Sequence, residues 1–253
     1  MIHTLLFKHL PCLIAAAAVV TFGSASASVV IFSDDFSDGL NPGYALVPSP
    51  PGTVTVETSG TGLDGNALKF STTANNRGAA RAFTPSVTLT NDGDFVELEL
   101  DYRLTSAVSG FGFDVSLTGS AGAEGGVSFR STPQNNGGTY FADSDNNAGR
   151  FDSIDSGTTR HNLVVRITKT SATEVVLTSS FDGVARDDSN TEVIGVDFAN
   201  GLTFDGILVG YSSSNSGDFF IDNVSVTTNV PEPAALSLAA LGLALIGCRR
   251  RGE

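Results

Sequence analysis

Hydrophobic and polar residues alternate through the central part of the chain. From Val96 to Leu104, every second side chain is apolar and the side chains between them are charged. This period of two is typical of a half-buried β-strand, because neighbouring side chains of a strand point to opposite faces. No sustained helical period occurs within residues 28–230, so the pattern predicts an all-β domain there.

The same alternation recurs in short runs that are separated by Gly, Asn, Asp and Ser. The further predicted strands are Phe111–Leu117, Leu163–Thr168, Glu174–Phe181, Thr191–Phe198, Gly206–Tyr211 and Asp218–Thr227. Asp182-Gly183, directly after one of them, is typical of a two-residue hairpin turn. This series predicts that residues 28–230 form one two-sheet antiparallel sandwich, with a jelly roll as the favoured topology.

The first 27 residues have the pattern of a secretory signal peptide. A weakly basic start is followed by an apolar run from Leu10 to Phe22, which is too short to span a membrane. Ala25-Ser26-Ala27 forms an A-x-A cleavage site, with Ala25 and Ala27 as the recognised small residues. We therefore expect a signal helix within residues 1–27, recognition by the secretion machinery, and cleavage after Ala27.

A second targeting signal lies at the other end of the chain, in residues 231–253. Pro231-Glu232-Pro233 precedes an apolar segment, 234–247, which is followed by Arg249, Arg250 and Arg251. As a helix, this segment would reach only about 21 Å, which makes it a short transmembrane helix. Arginines flanking a span favour the cytoplasmic side, so the main domain is expected outside the cytoplasm.

The order Pro-Glu-Pro, short apolar helix and terminal arginines resembles the PEP-CTERM sorting signal of Gram-negative bacteria. The resemblance implies recognition by an exosortase, a membrane cysteine transpeptidase, and processing near the motif. It also implies export to the cell envelope, the outer surface or the extracellular matrix, after transient anchoring in the inner membrane. A link to exopolysaccharide and biofilm is part of the same expectation.

Composition narrows the possible functions of the exported domain. The formal net charge is −13, which argues against a nucleic-acid partner, since such partners are bound through clustered Lys and Arg. The two cysteines, Cys12 and Cys248, both lie within the terminal segments, so the domain has neither a disulfide nor a thiol nucleophile. His161 is its only histidine, which is too few for a histidine metal cluster.

The ends of the domain carry a second resemblance. The opening Ile31–Gly39 contains Asp34-Asp35-Phe36, and the closing Phe219–Val226 reads Phe-Phe-Ile-Asp-Asn-Val-Ser-Val. These segments resemble the first and last strands of concanavalin A-like and carbohydrate-binding jelly rolls, in which the terminal strands lie close together. Many such modules hold a structural calcium near this place, so the resemblance implies a possible calcium site at Asp34, Asp35 and Asp222. The alternative is that these carboxylates form turns and caps by bonding to backbone groups.

Glu97, Glu99 and Asp101 share one face of a predicted strand. Three carboxylates on a strand are similar to the active-site strand of laminarinase-type glycoside hydrolases, but the order Glu-Leu-Glu-Leu-Asp departs from that family's Glu-x-Asp-x-x-Glu or Glu-x-Asp-x-Glu. We expect these side chains to face solvent, and the domain to be a non-catalytic adhesion or carbohydrate-binding module with extracellular polysaccharide as a partner. A glycoside hydrolase or lyase that uses Glu97 and Glu99 is the alternative.

Overall fold

A computed structural model describes most of the central domain. The described residues are 27–40, 43–47, 52–72, 77–105, 113–119, 124–130, 138–142, 158–185, 190–194, 198, 201–211 and 217–230. Within these ranges no helix is long and apolar enough to span a membrane. The predicted signal helix and the predicted apolar helix 234–247 lie outside the described residues.

The described residues form fifteen β-strands and no helix. The strands are β1 (Val29–Asp34), β2 (Ala45–Val47), β3 (Thr53–Glu57), β4 (Ala67–Thr72), β5 (Arg77–Thr88), β6 (Phe95–Leu104), β7 (Phe113–Thr118), β8 (Glu124–Arg130), β9 (Gly138–Ala142), β10 (His161–Lys169), β11 (Glu174–Phe181), β12 (Val184–Ala185), β13 (Asn190–Val193), β14 (Thr203–Tyr211) and β15 (Gly217–Thr228).

The strands form two sheets, and every pairing between strands is antiparallel. The nine-stranded sheet has the order β12-β11-β10-β6-β15-β4-β3, with β1 also paired to β15 and β13 to β11. The six-stranded sheet has the order β2-β5-β14-β7-β8-β9. The predicted two-sheet antiparallel sandwich is therefore confirmed.

The core lies between the two sheets and follows the alternation seen in the sequence. In β6, the side chains from Val96 to Leu104 are fully buried at every second position. The rings of Phe70 in β4 and Phe219 in β15 stack at 4.7 Å between centroids, and both are completely buried. Aromatic packing of this kind stabilises the sheet by burying large apolar areas.

Strand β15 organises the candidate site because it has three partners. Its first half, up to Ile221, lies between β4 and β6, whereas its second half, from Val224 onward, lies between β1 and β6. Strands β1 and β4 thus follow one another along the same edge of β15. The pairing with β6 shifts by one residue between Asp222 and Ser225, at the junction of β1 and β4.

The predicted strands agree closely with the structure in most places. β11 has the predicted bounds, and Asp182-Gly183 follows it as a turn with positive φ at both residues. The predicted strand Thr191–Phe198 was too long, because β13 ends at Val193 and Phe198 forms only an isolated bridge with Ile194.

Candidate functional site

A shallow, open pocket of about 570 Å³ lies where β1 ends beside the bulge of β15. We call it the terminal-strand pocket. Its lining residues are Ser33, Asp34, Asp35, Ser37, Asp38, Asn223, Val224 and Ser225. The pocket is therefore formed by the two segments that the sequence singled out, and its lining is rich in carboxylates and hydroxyls.

Backbone geometry on both sides shapes this pocket. Asn223 has φ of 50°, and the extra residue it adds to β15 bends the strand at this point. On the other side, Phe36 has φ of 52°, so the chain turns sharply after β1. The amide of Asn66 holds that turn by donating hydrogen bonds to the carbonyl oxygens of Phe36, at 3.0 Å, and Ser37, at 3.3 Å.

Three carboxylates of the loop after β1 accept backbone hydrogen bonds two residues ahead. Asp34 Oδ1 accepts from the Phe36 N–H at 2.9 Å, and Asp35 Oδ1 accepts from the Ser37 N–H at 3.0 Å. Asp38 does the same at 2.8 Å, with Leu40 as the donor. These are Asx turns, the role that the alternative to a metal site predicted for Asp34 and Asp35; the turn at Asp38 was not predicted.

Asp34 and Asp35 have different surroundings. Asp34 pairs with Val224, a core residue, so its side chain lies on the inner face of the sheet, and burial is the main cause of its raised pKa. Arg81 of the six-stranded sheet is close enough to oppose that rise. Asp35 is exposed, and the hydrogen bond from the Ser37 N–H lowers its pKa. The structure thus directs these two carboxylates to different environments.

Asp222 is the most unusual carboxylate of the site. It is 1% exposed, and its Oδ1 accepts the Asn223 N–H at 2.7 Å. Its Oδ2 is buried and has no hydrogen-bond partner within the described part of the chain. The pKa of Asp222 is raised to about 6, mainly by burial and to a smaller extent by the nearby charges of Asp101 and Asp35. A buried carboxylate with one unsatisfied oxygen is unfavourable unless it takes up a proton or a cation.

The positions of these carboxylates show how far the site suits a calcium ion. An orphaned oxygen of Asp222 near exposed Asp35 is suitable for a cation that prefers oxygen ligands. However, no three acidic, His or Cys side chains of the described residues gather as a metal-binding group. A calcium site here would therefore depend on backbone oxygens and water as well, and the calcium site at Asp34, Asp35 and Asp222 stays a prediction.

Asp101 lies at the centre of a polar network on the outer face of the nine-stranded sheet. Its Oδ2 accepts hydrogen bonds from Arg160 Nη2 and Asn223 Nδ2, both at 2.8 Å, and its Oδ1 accepts from Asn162 Nδ2 at 3.1 Å. Arg160 also pairs with Asp64, so it ties a loop before β4 to the sheet. Asp101 was expected to face solvent, but this network leaves it only 5% exposed.

Glu97 and Glu99 lie on the same outer face, as predicted, and both bond to neighbouring strands. Glu97 Oε2 accepts a hydrogen bond from Arg166 Nε at 2.7 Å, and the guanidinium of Arg166 lies over the ring of Phe95. Glu99 is exposed, and its Oε1 accepts from Asn162 Nδ2 at 3.2 Å. These contacts give both carboxylates a role in cross-strand pairing.

His161 belongs to a second polar cluster, which the sequence analysis did not assign. Its Nε2 lies 3.0 Å from Thr159 Oγ1, and its Nδ1 lies 2.9 Å from Asp182 Oδ2. The ring is buried against Phe181, with 4.7 Å between centroids. The Asp182-Gly183 turn was recognised in the sequence, but the contact of Asp182 with His161, 21 positions away, depends on the pairing of β10 with β11.

At the C-terminal end, the described chain stops at Val230, directly before the predicted sorting signal. Strand β15 ends at Thr228, and Asn229 and Val230 continue in contact with the sandwich. Ala27 is exposed at the beginning of the described domain. Ala25 lies outside the described residues, as do Pro231, Glu232, Pro233, Arg249, Arg250 and Arg251.

Comparison with known protein families identifies the C-terminal segment. The sequence model of the PEP-CTERM protein-sorting motif matches residues 229–251. The chain carries a PEP-CTERM sorting motif. The motif indicates an exported protein with a C-terminal sorting signal, as the sequence analysis predicted. Among proteins of curated function, none matches the chain by sequence.

Solved structures with a similar fold include carbohydrate-related proteins. The cellulose-induced protein Cip1 aligns at a TM-score of 0.51 with 15% identity, over 77% of this chain and 96% of its own. A carbohydrate esterase from the Shiga toxin-encoding bacteriophage phi24B aligns at 0.51 with 13% identity, over 81% of this chain and 100% of its own. A mutant of alginate lyase Aly36B with alginate trisaccharide aligns at 0.50 with 15% identity, over 80% and 98%.

At such low identity these similarities concern the fold alone. They agree with the predicted sandwich of jelly-roll, concanavalin A-like type.

Proposed function

We propose that this protein is a non-catalytic matrix or surface protein of a Gram-negative bacterium, whose sandwich binds extracellular polysaccharide. The observation that carries the proposal is the junction of a PEP-CTERM motif with a sandwich of this fold. The similar folds belong to proteins whose names connect them with cellulose, a carbohydrate ester and alginate. The proposal extends that connection to this chain, including a role in exopolysaccharide or biofilm.

Sorting is the first half of the proposal. An exosortase in the inner membrane recognises the motif while the C-terminal segment anchors the protein. Its thiolate attacks a peptide carbonyl carbon near the motif, the C-terminal fragment leaves as an amine that takes up a proton, and the thioester passes to water or an amine acceptor. Mass spectrometry of the exported C-terminus, with and without the exosortase, tests this half. Retention of Arg249–Arg251 in the competent host contradicts it.

Ligand binding is the second half, and the terminal-strand pocket is the proposed contact. Its hydroxyls and carboxylates match the hydrogen-bonding groups of sugars, and its acidity disfavours anionic polymers unless a cation bridges them. Aromatic side chains are absent from its described lining, so we expect weak binding that depends on multivalent contact with a polymer.

A polysaccharide panel, measured for binding and for release of new chain ends, tests this half. Asp35→Asn keeps the Asx turn but removes a pocket charge, and is expected to change binding. Glu174→Gln, an exposed carboxylate on β11, is the matched control. Equal binding by both variants contradicts the assignment of the pocket.

The Glu99→Gln variant distinguishes the enzymatic alternative from the non-catalytic proposal. Gln retains an oxygen that accepts the bond from Asn162, so the fold is expected to survive. Loss of product release in this variant, with product release in the wild type, overturns the non-catalytic proposal. Unchanged polysaccharide binding without product release in either protein supports it.

A further inference from the structure

The sorting motif begins inside the folded sandwich. The matched motif starts at residue 229, directly after β15 ends at Thr228. Asn229 and Val230 therefore belong both to the motif and to the domain that the motif delivers. No linker separates the last strand from the first residues of the motif.

Asn229 holds this junction through both ends of its side-chain amide. Its Oδ1 accepts a hydrogen bond from the Phe95 N–H at 2.8 Å, and its Nδ2 donates to the carbonyl oxygen of Gly93 at 2.9 Å. We call these two bonds the Asn229 clamp. Beside it, the Val230 N–H donates to Thr228 Oγ1 at 3.0 Å, and the Val230 side chain packs against the core.

The turn that receives the clamp is itself fixed. Asp94 Oδ2 accepts hydrogen bonds from the N–H groups of Thr90, at 2.8 Å, and Asn91, at 2.7 Å. The Gly93 N–H donates to the carbonyl oxygen of Lys169 at 2.7 Å, and the Lys169 N–H donates back to Asp94 at 2.9 Å. The clamp thus joins the motif to a turn that is bonded to β10.

We propose that the Asn229 clamp limits access of the sorting transpeptidase to the amino side of its motif. An enzyme that cuts a peptide bond takes the substrate as an extended segment, and residues of a packed element are accessible only after local opening. Asn229 and Val230 enter such a cleft only when the clamp breaks and Val230 leaves the core. Asn229 is therefore a positioning residue that sets the processing rate.

The inference rests on the proposed sorting by an exosortase. It predicts that Asn229→Ala, which removes both bonds of the clamp, increases the processing rate of the full-length protein. The expected rise is about 5- to 150-fold, because each of the two lost hydrogen bonds shifts the opening equilibrium by about two- to tenfold. Release of the C-terminal segment is followed by pulse-chase and mass spectrometry in a host that carries an exosortase.

Two substitutions control for effects other than the clamp. Asn91→Ala removes a side chain of the same turn that bonds only within the turn, so the clamp survives. Ile207→Val weakens the core at a fully buried position of β14, in the six-stranded sheet away from the clamp. Neither is expected to accelerate processing as Asn229→Ala does. If Ile207→Val, at an equal loss of thermal stability, gives the same acceleration, global unfolding controls processing and the clamp proposal is wrong.

A second variant tests the proposal even if Asn229→Ala fails to fold. Six Gly and Ser residues inserted between Val230 and Pro231 leave every contact of the clamp in place and move Pro231 away from the sandwich. We expect this insertion to raise the processing rate as well. Unchanged rates in both variants overturn the clamp proposal, whereas absence of processing in the wild type overturns the proposed sorting and this inference with it.

Discussion

Replacing Asp222 by Asn removes the buried charge of the terminal-strand region while preserving its shape. The Asn oxygen accepts the N–H of Asn223 as Oδ1 does now, and the amide nitrogen takes the place of the orphaned Oδ2. That nitrogen is a donor beside two carboxylates, Asp101 and Asp35, which raise the pKa of Asp222. We therefore expect Asp222→Asn to stabilise the calcium-free protein at neutral pH.

The magnitude follows from the pKa of Asp222. A rise from 3.8 to about 6 corresponds to about 3 kcal/mol of unfavourable free energy for the ionised form. Burying an amide also costs free energy, so we expect a net gain of about 1–3 kcal/mol. For a domain of this size, that gain raises the melting temperature by about 2–12 °C.

The effect depends on pH in a defined direction. Because the folded state holds the proton of Asp222 more tightly than the unfolded chain does, this group adds stability as the pH falls from above 6 toward 4. The stabilisation is lost as the pH rises through about 6. The advantage of Asp222→Asn over the wild type should therefore be largest at pH 7.5 and shrink toward pH 4.

Thermal melting in calcium-free buffer at several pH values measures this difference. Asp38→Asn is the matched control, because it removes one negative charge from an exposed side chain and keeps the Asx turn to Leu40. If Asp222→Asn melts no higher than Asp38→Asn at pH 7.5, or if its advantage does not change with pH, the argument from burial is refuted.

Three further outcomes are expected. If calcium binds at Asp222, a hundredfold excess of calcium over its dissociation constant should stabilise the wild type by about 2.7 kcal/mol. Asp222→Ala should remove this response, and a wild-type melting curve that chelation leaves unchanged contradicts the site. Phe70→Ala, at a fully buried ring that stacks on Phe219, should destabilise the fold by about 3–5 kcal/mol in urea unfolding, and a loss below 1 kcal/mol would contradict its place in the core. Arg160→Met should lower the free energy of unfolding by about 1–2 kcal/mol, because it leaves buried Asp101 with hydrogen bonds from amide donors only. An unchanged free energy in the same assay would show that the amide donors alone stabilise the Asp101 carboxylate.

The sequence predicted strands where packing gives a clean period of two. β6 and β11 alternate because one face of each is buried in the core, and a short turn precedes each of them. β5 was missed because its inner face carries small and polar residues, with Arg81 between Ala79 and Phe83. A charged side chain on an inner face hides the alternation on which the prediction depends.

The pairing of the first and last strands was predicted from the motifs around Asp34 and Asp222, and β1 does pair with β15. The calcium site at Asp34, Asp35 and Asp222 stays a prediction. The sequence did not predict that Asp34 faces inward, since that depends on the register with Val224. Nor did it predict the burial of Asp101, which arises from Arg160 and a loop that folds back over the sheet.

The pairing of β1 with β15 has a topological consequence. Val29 lies directly opposite Thr228, so the two ends of the sandwich are neighbours on adjacent strands. A link of two to five residues is sufficient to join antiparallel strand ends, and the exposed turn at Ser171–Thr173 offers a place for new ends. A circular permutant opened there would keep every strand pair, and its sorting motif would then follow β10, two strands away from β15 at the same end of the sheet. A change in chain connectivity alone would therefore separate the position of the sorting motif from the folding of the sandwich.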